Sequence, residues 1–154
     1  MPNVIILRGD PEHQYKEAQA DAAVTPGDLI KFSANEKLVR HDAAGQNTGA
    51  VFALENELVG SGIAASYASG ATVRYCVARA GDEVYALLAS GQNVTKDAFL
   101  ESAGNGALQA YTNQSGQNVY AAAVVGVANE DKNNTAGDAT GPHNNATRIR
   151  LEVL

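Results

Sequence analysis

The sequence predicts an all-β fold: a compact barrel or sandwich of about eight to ten short, mainly antiparallel strands, with a jelly roll as the alternative topology. Three observations carry this. Ile149, Leu151 and Val153 alternate with Arg148, Arg150 and Glu152, the pattern of a strand with one buried and one wet face. In the middle of the chain, Val73, Tyr75 and Val77 alternate with Arg74 and Cys76, and Val84, Ala86 and Leu88 with Glu83, Tyr85 and Leu87. Turn residues interrupt the apolar runs at short intervals, and no long stretch has a helical period.

Taken in order, residues 1–23 read as an N-terminal arm and residues 24–154 as a single β domain. Val4 to Leu7 is a short strand. From Arg8 to Asp21 the chain contains helix formers but almost no apolar stripe to bury, so an extended arm or loosely docked segment that finds its partner outside its own domain is preferred to a helix, with a frayed terminus as the other reading. Thr25-Pro26-Gly27-Asp28 is a turn, because proline presets φ and glycine permits the position after it. Leu29–Phe32 and Lys37–His41 form a hairpin around Asn35-Glu36. Gly49–Leu54 is a strand, and Ile63–Tyr67 is either a strand or a helical turn. Ala71–Ala78 and Glu83–Leu88 read as a hairpin joined by Arg79-Ala80-Gly81-Asp82. Val94–Leu100 runs into Glu101, a tight turn at Ala103–Gly106 follows, and Leu108–Tyr111 is a short strand. Val119–Ala128 is an apolar run of small residues suited to a crowded strand. Asn129–Asn145 is a long loop, of the kind that is usually functional or disordered. Thr147–Leu154 closes the sheet.

At 154 residues the chain has room for one hydrophobic core. Its net charge of -6 argues against nucleic-acid binding, which needs a positive footprint. No apolar stretch is long enough to span a membrane. Without a signal-peptide pattern at the N-terminus, synthesis and folding are expected in a reducing cytoplasm. The single cysteine, Cys76, makes no intrachain disulfide. The Asn-x-Ser/Thr triplets at Asn93, Asn113, Asn133 and Asn145, and the tripeptide Arg8-Gly9-Asp10, are read as chance matches.

The search for chemistry finds no constellation. His13, His41 and His143 have no spacing that one strand or helix would converge on a metal, and pairing with Asp42 or Asp138 is unspecific. Asp131–Asp138 does not match a calcium loop. Ser90, Ser102 and Ser115 sit in polar turns outside any nucleophile elbow, and Cys76 lies in a strand as a small hydrophobe. Gly104-Asn105-Gly106 lacks the length and lysine of a phosphate loop. Glu55, Glu57 and Glu101 have no fixed separation. No catalytic, cofactor-binding or metal residue is assigned. The expectation is a non-enzyme without cofactors that works through its surfaces.

Three segments, Thr25–Ile30, Gly49–Asn56 and Gly70–Tyr75, together with Gly91–Ser102 and Ala122–Glu130, resemble the decoration (cement) proteins of tailed-phage heads. The resemblance covers most of residues 24–154 and is one of texture rather than an invariant motif. It implies a virion protein on the outer surface of the capsid, made in the host cytoplasm. Its expected partner is the major capsid protein, with self-association as a trimer or, alternatively, a dimer, and with the N-terminal arm joining the capsid lattice. A phage fibre, tail or other surface-adhesion module is the alternative, with the 129–145 loop as its contact.

Overall fold

The computed structural model describes residues 2–9, 15–112, 120, 122–143 and 145–154. Among these the fold is all-β, with thirteen strands and a single 3-10 turn at Glu57–Val59. The count exceeds the sequence expectation because β8 (Asn93–Val94) and β12 (Lys132–Asn133) are two-residue pairings, and because the expected arm contains a strand of its own.

The centre is a closed ring of five strands. β7 (Glu83–Leu88) pairs with β13 (Thr147–Val153), β13 with β11 (Val124–Ala128), and β11 with β9 (Phe99–Ser102). β9 pairs with β10 (Leu108–Ala110), which returns to β7 through a parallel contact of Leu108 with Leu88. All other pairings in the ring are antiparallel, and closure removes the free edges of the sheet. Ile149, Leu151 and Val153 point into this barrel beside Val84, Ala86, Leu88, Leu100 and Leu108. The apolar face of β13 is therefore the one the alternation predicts. β7 is buried on both faces, since Leu87 packs under Ala107 and Ala146. The small residues of β11 have a local cause. A Cβ on Gly126 would overlap the backbone of Glu152 and lie 2.7 Å from Leu151 Cδ1, so glycine allows the two strands to approach.

A second sheet, β2 (Lys16–Gln19), β6 (Thr72–Val77) and β5 (Val51–Ala53), stands between two cores. Phe52, Leu54 and Cys76 face the barrel interior. Ala53, Val73 and Tyr75 face a smaller core that includes Val24, Ile30, Leu38 and Tyr67. The expected hairpin of β3 (Ile30–Phe32) and β4 (Leu38–Arg40) covers that smaller core, with Lys31 opposite Val39.

Two expectations are corrected. β6 and β7 are strands almost where the alternation put them, yet they do not pair with each other: β6 lies between β2 and β5, and β7 lies in the barrel. The link explains this. Asp82 N donates to Arg79 O at 3.0 Å, closing a turn with Gly81 third at φ 91. That is the glycine position of a type II turn, whose twist splays the flanking strands instead of folding them into a tight hairpin. Gly81 N bonds Val153 O, so the corner is fastened to the barrel.

The second correction concerns residues 1–23. The described part of this segment packs on its own domain. β1 (Ile6–Arg8) pairs with β7, and β2 pairs with β6. Ile5 is fully buried, its N–H donates to Glu55 Oε2 at 3.0 Å, and its carbonyl accepts from Tyr85 N at 2.7 Å. Main-chain pairing and one buried isoleucine hold this segment, so it needs no amphipathic stripe. Helix periodicity was the wrong test for it.

Candidate functional site

Loops gather at the end of the barrel where β13 begins. The Thr25–Asp28 turn has the geometry its sequence demands: Asp28 N donates to Thr25 O at 2.9 Å, and Gly27 has φ 92. Asp28 is fully buried. Its Oδ2 accepts from Thr25 N at 2.7 Å and lies 3.4 Å from Arg40 Nε, while its Oδ1 accepts from His143 Nε2 at 2.6 Å. Gly106 leaves room for this carboxylate, since a Cβ there would come within 2.5 Å of Oδ1. The buried acid thus ties the 25–28 turn, β4 and the far end of the long loop together. His143 Nδ1 is buried with no hydrogen-bond partner among the described residues.

The long loop is ordered rather than loose over its described residues. Asn134 is 4% exposed, and its Nδ2 donates to the carbonyls of Leu88 at 3.2 Å, Ala89 at 3.1 Å and Asn145 at 3.1 Å. β12 pairs with β8 at its start. Asp138 accepts from Thr140 N at 2.9 Å and from Thr140 Oγ1 at 2.8 Å, and these bonds hold its pKa below the usual carboxylate value. Asparagine and aspartate side chains that bond nearby main chain give this stretch a fixed shape without apolar periodicity.

Arg148 departs from the expected pattern. It falls on the polar side of β13 but is buried. Its Nη1 donates to Pro26 O at 2.7 Å, its Nη2 to Ile63 O at 2.7 Å, and the guanidinium carbon lies 5.9 Å from the centre of the Tyr85 ring. Burial lowers its pKa, and nearby Tyr85 and Asp28 oppose that.

The other residues singled out from the sequence are dispersed. His41 is buried, with Nδ1 2.7 Å from Ser102 Oγ and Nε2 3.4 Å from Asn47 O. Gly104 N donates to the same Ser102 Oγ, leaving the hydroxyl hydrogen for His41 Nδ1 and the Nε2 hydrogen for Asn47. Burial lowers the His41 pKa, which suits the neutral ring this bonding requires. A serine beside a histidine is a nucleophile's arrangement in form, but Ser102 is fully buried and out of reach of a substrate. Asp42 joins Lys31 at 2.5 Å and is 66% exposed at its side chain. Glu55 holds Ile5, Glu57 pairs with Arg74 at 3.1 Å, and Glu101 accepts from Gln109 at 2.9 Å. Cys76 is fully buried, and burial pushes its thiol up to about 12. Ser90 lies in the turn after β7. His13 and Ser115 lie outside the described residues. Among the described residues no three His, Cys, Asp or Glu side chains converge to hold a metal ion. No helix there is long and apolar enough to cross a membrane. Sequence reading missed Asp28 and Arg148, and the Pro-Gly turn before one and the arginine opening the last strand were the signals at hand.

A small closed barrel with an accessory sheet is an arrangement that also occurs in a solved structure. The chain is similar to the N base of head fiber gp8.5 of bacteriophage phi29. The TM-score is 0.56 at 12% sequence identity, over 92% of this chain and 93% of that one. At that identity the agreement is one of fold. No family model matches the sequence, and no curated protein matches it.

Proposed function

We propose that this chain is a non-catalytic structural component of a tailed-phage virion, the rigid β base through which a surface fibre sits on the outside of the head. The observation that carries this reading is the fold shared with a head-fibre base over nearly the whole of both chains. The segment resemblance to head decoration proteins supports the same location. The partner in this proposal is the major capsid protein, engaged by a self-associated trimer, with a dimer as the other closed form. Repetition of a modest contact around a symmetric oligomer and across a lattice gives tight attachment without an extensive single interface. The cement reading, in which the protein itself reinforces the shell, is the second candidate and rests on the segment resemblance.

Purified protein mixed with undecorated expanded heads should co-sediment with them. Failure to bind across several salt concentrations overturns the head assignment. Heating bound and bare heads then separates the two roles. A fibre base leaves the temperature of DNA release unchanged, whereas a cement subunit raises it.

A further inference from the structure

Arg148 is 7% exposed, and its two hydrogen bonds both go to main-chain carbonyls. A guanidinium has five N–H donors, so three have no protein acceptor among the described residues. No carboxylate of those residues lies within ion-pair distance of it. The negative charges that act on it, those of Asp28 and Glu55, are not in contact with it, so an anion at the guanidinium would be favoured.

The same side chain lines a groove of about 490 Å³ with Ile63, Tyr85, Lys132, Asp138, Thr140 and Pro142. That volume is in the range of small-molecule sites, and the lining joins apolar walls to a few polar groups. Lys132 adds a second cation. Among the described residues of the wall the one acid is Asp138, which already accepts from Thr140. The walls are fixed: Arg148 by Pro26 and Ile63, the loop by Asn134 and His143. Gly27 is part of the design, because a Cβ there would overlap Arg148 Nη1.

We propose that this groove binds a small, hydroxyl-rich carboxylate, the chemical class of a uronic-acid sugar, with its carboxylate on Arg148 and Lys132. The planar guanidinium suits paired hydrogen bonds to a carboxylate. Asp138 and the hydroxyls of Thr140 and Thr147 face the sugar's own hydroxyls, and Ile63 and Pro142 meet its C–H surface. The proposal stands apart from the virion assignment, since it holds or fails on the free protein.

The test is a titration of the full-length, nitrogen-15-labelled chain followed by NMR, with glucuronate, glucose and acetate as separate probes, each to roughly 10 mM, about ten times the Kd of a millimolar site. Glucuronate should give saturable shifts at the amides of Thr140, Gly141 and Thr147, and glucose should give none. Acetate should bind at least about tenfold more weakly than glucuronate. Lys132→Ala should keep the spectrum of the free protein outside the groove and weaken glucuronate binding about tenfold. Arg148→Lys, with its folding checked by the same spectrum, should weaken it at least as much. Absence of saturable shifts, equal response to glucose or acetate, or binding indifferent to Lys132→Ala would each overturn the proposal.

Discussion

At the residue scale, the barrel end depends on two glycines, Gly27 beside Arg148 and Gly106 beside Asp28, each of which makes room for a charged side chain. Gly27 combines φ 92 with a guanidinium where its Cβ would stand. Gly27→Ala should therefore destabilise the fold by about 1–3 kcal/mol, from the left-handed backbone and from displacement of Arg148. A denaturant midpoint equal to the parent's would show that the turn relaxes freely. His41 makes a second prediction. Its folded pKa is lowered from an ordinary value of 6.5, chiefly by burial. The unfolded chain then binds more protons in the window below that value, so stability rises with pH there. The contribution is complete above about pH 6.5 and is lost as pH falls toward the folded pKa. Melting temperature should drop between neutral and mildly acid pH in the parent and drop less in His41→Gln. Asp42 titrates in a lower window, where its Lys31 partner keeps its pKa down, so its loss follows further acidification. Identical pH profiles for the parent and His41→Gln would refute the assignment.

At the element scale, β13 gives a direct comparison of faces. Val153 is 3% exposed and Arg150 is on the solvent side of the same strand. Val153→Asp should cost about 3 kcal/mol or more by burying an unpaired charge, while Arg150→Ser should stay within about 0.5 kcal/mol. Equal shifts in denaturant midpoint would mean that the strand's faces are misassigned. Such faces were legible in the sequence because side-chain alternation is a local property. Turns at Thr25–Asp28 and Ala103–Gly106 were legible for the same reason. Pairing was not, as β6 and β7 show: alternation says that a strand has two faces and says nothing about which strand lies beside it. The barrel-end site was hidden for a related reason, since Asp28 and His143 are separated by 115 residues. Arg148 was read as wet from its parity, whereas the carbonyls of Pro26 and Ile63 and the ring of Tyr85, all distant in sequence, surround it.

At the scale of the whole molecule, the first strand is part of the body. β1 adds to the edge of β7 just where β10 has left it unpaired, and β2 completes the sheet that divides the two cores. Burying a side chain such as Ile5 contributes about 1.5–3 kcal/mol, a large share of the roughly 5–15 kcal/mol that holds a domain of this kind. Removing residues 1–20 takes away Ile5, Ala20 and both pairings at once. The truncated chain should lose its cooperative unfolding transition and near-ultraviolet circular dichroism. This outcome also decides how head binding is to be read. A truncated protein that fails to sediment with heads would have failed through its fold, and would say nothing about a capsid contact. Ile5→Ala separates the two effects, because it should cost about 2–5 kcal/mol while leaving every main-chain pairing possible. If that variant is folded at low temperature and still co-sediments with heads, the Ile5 side chain serves the body and not head binding. If the truncated chain keeps the parent's unfolding midpoint, the segment is a detachable arm and the packing of Ile5 does not stabilise the barrel.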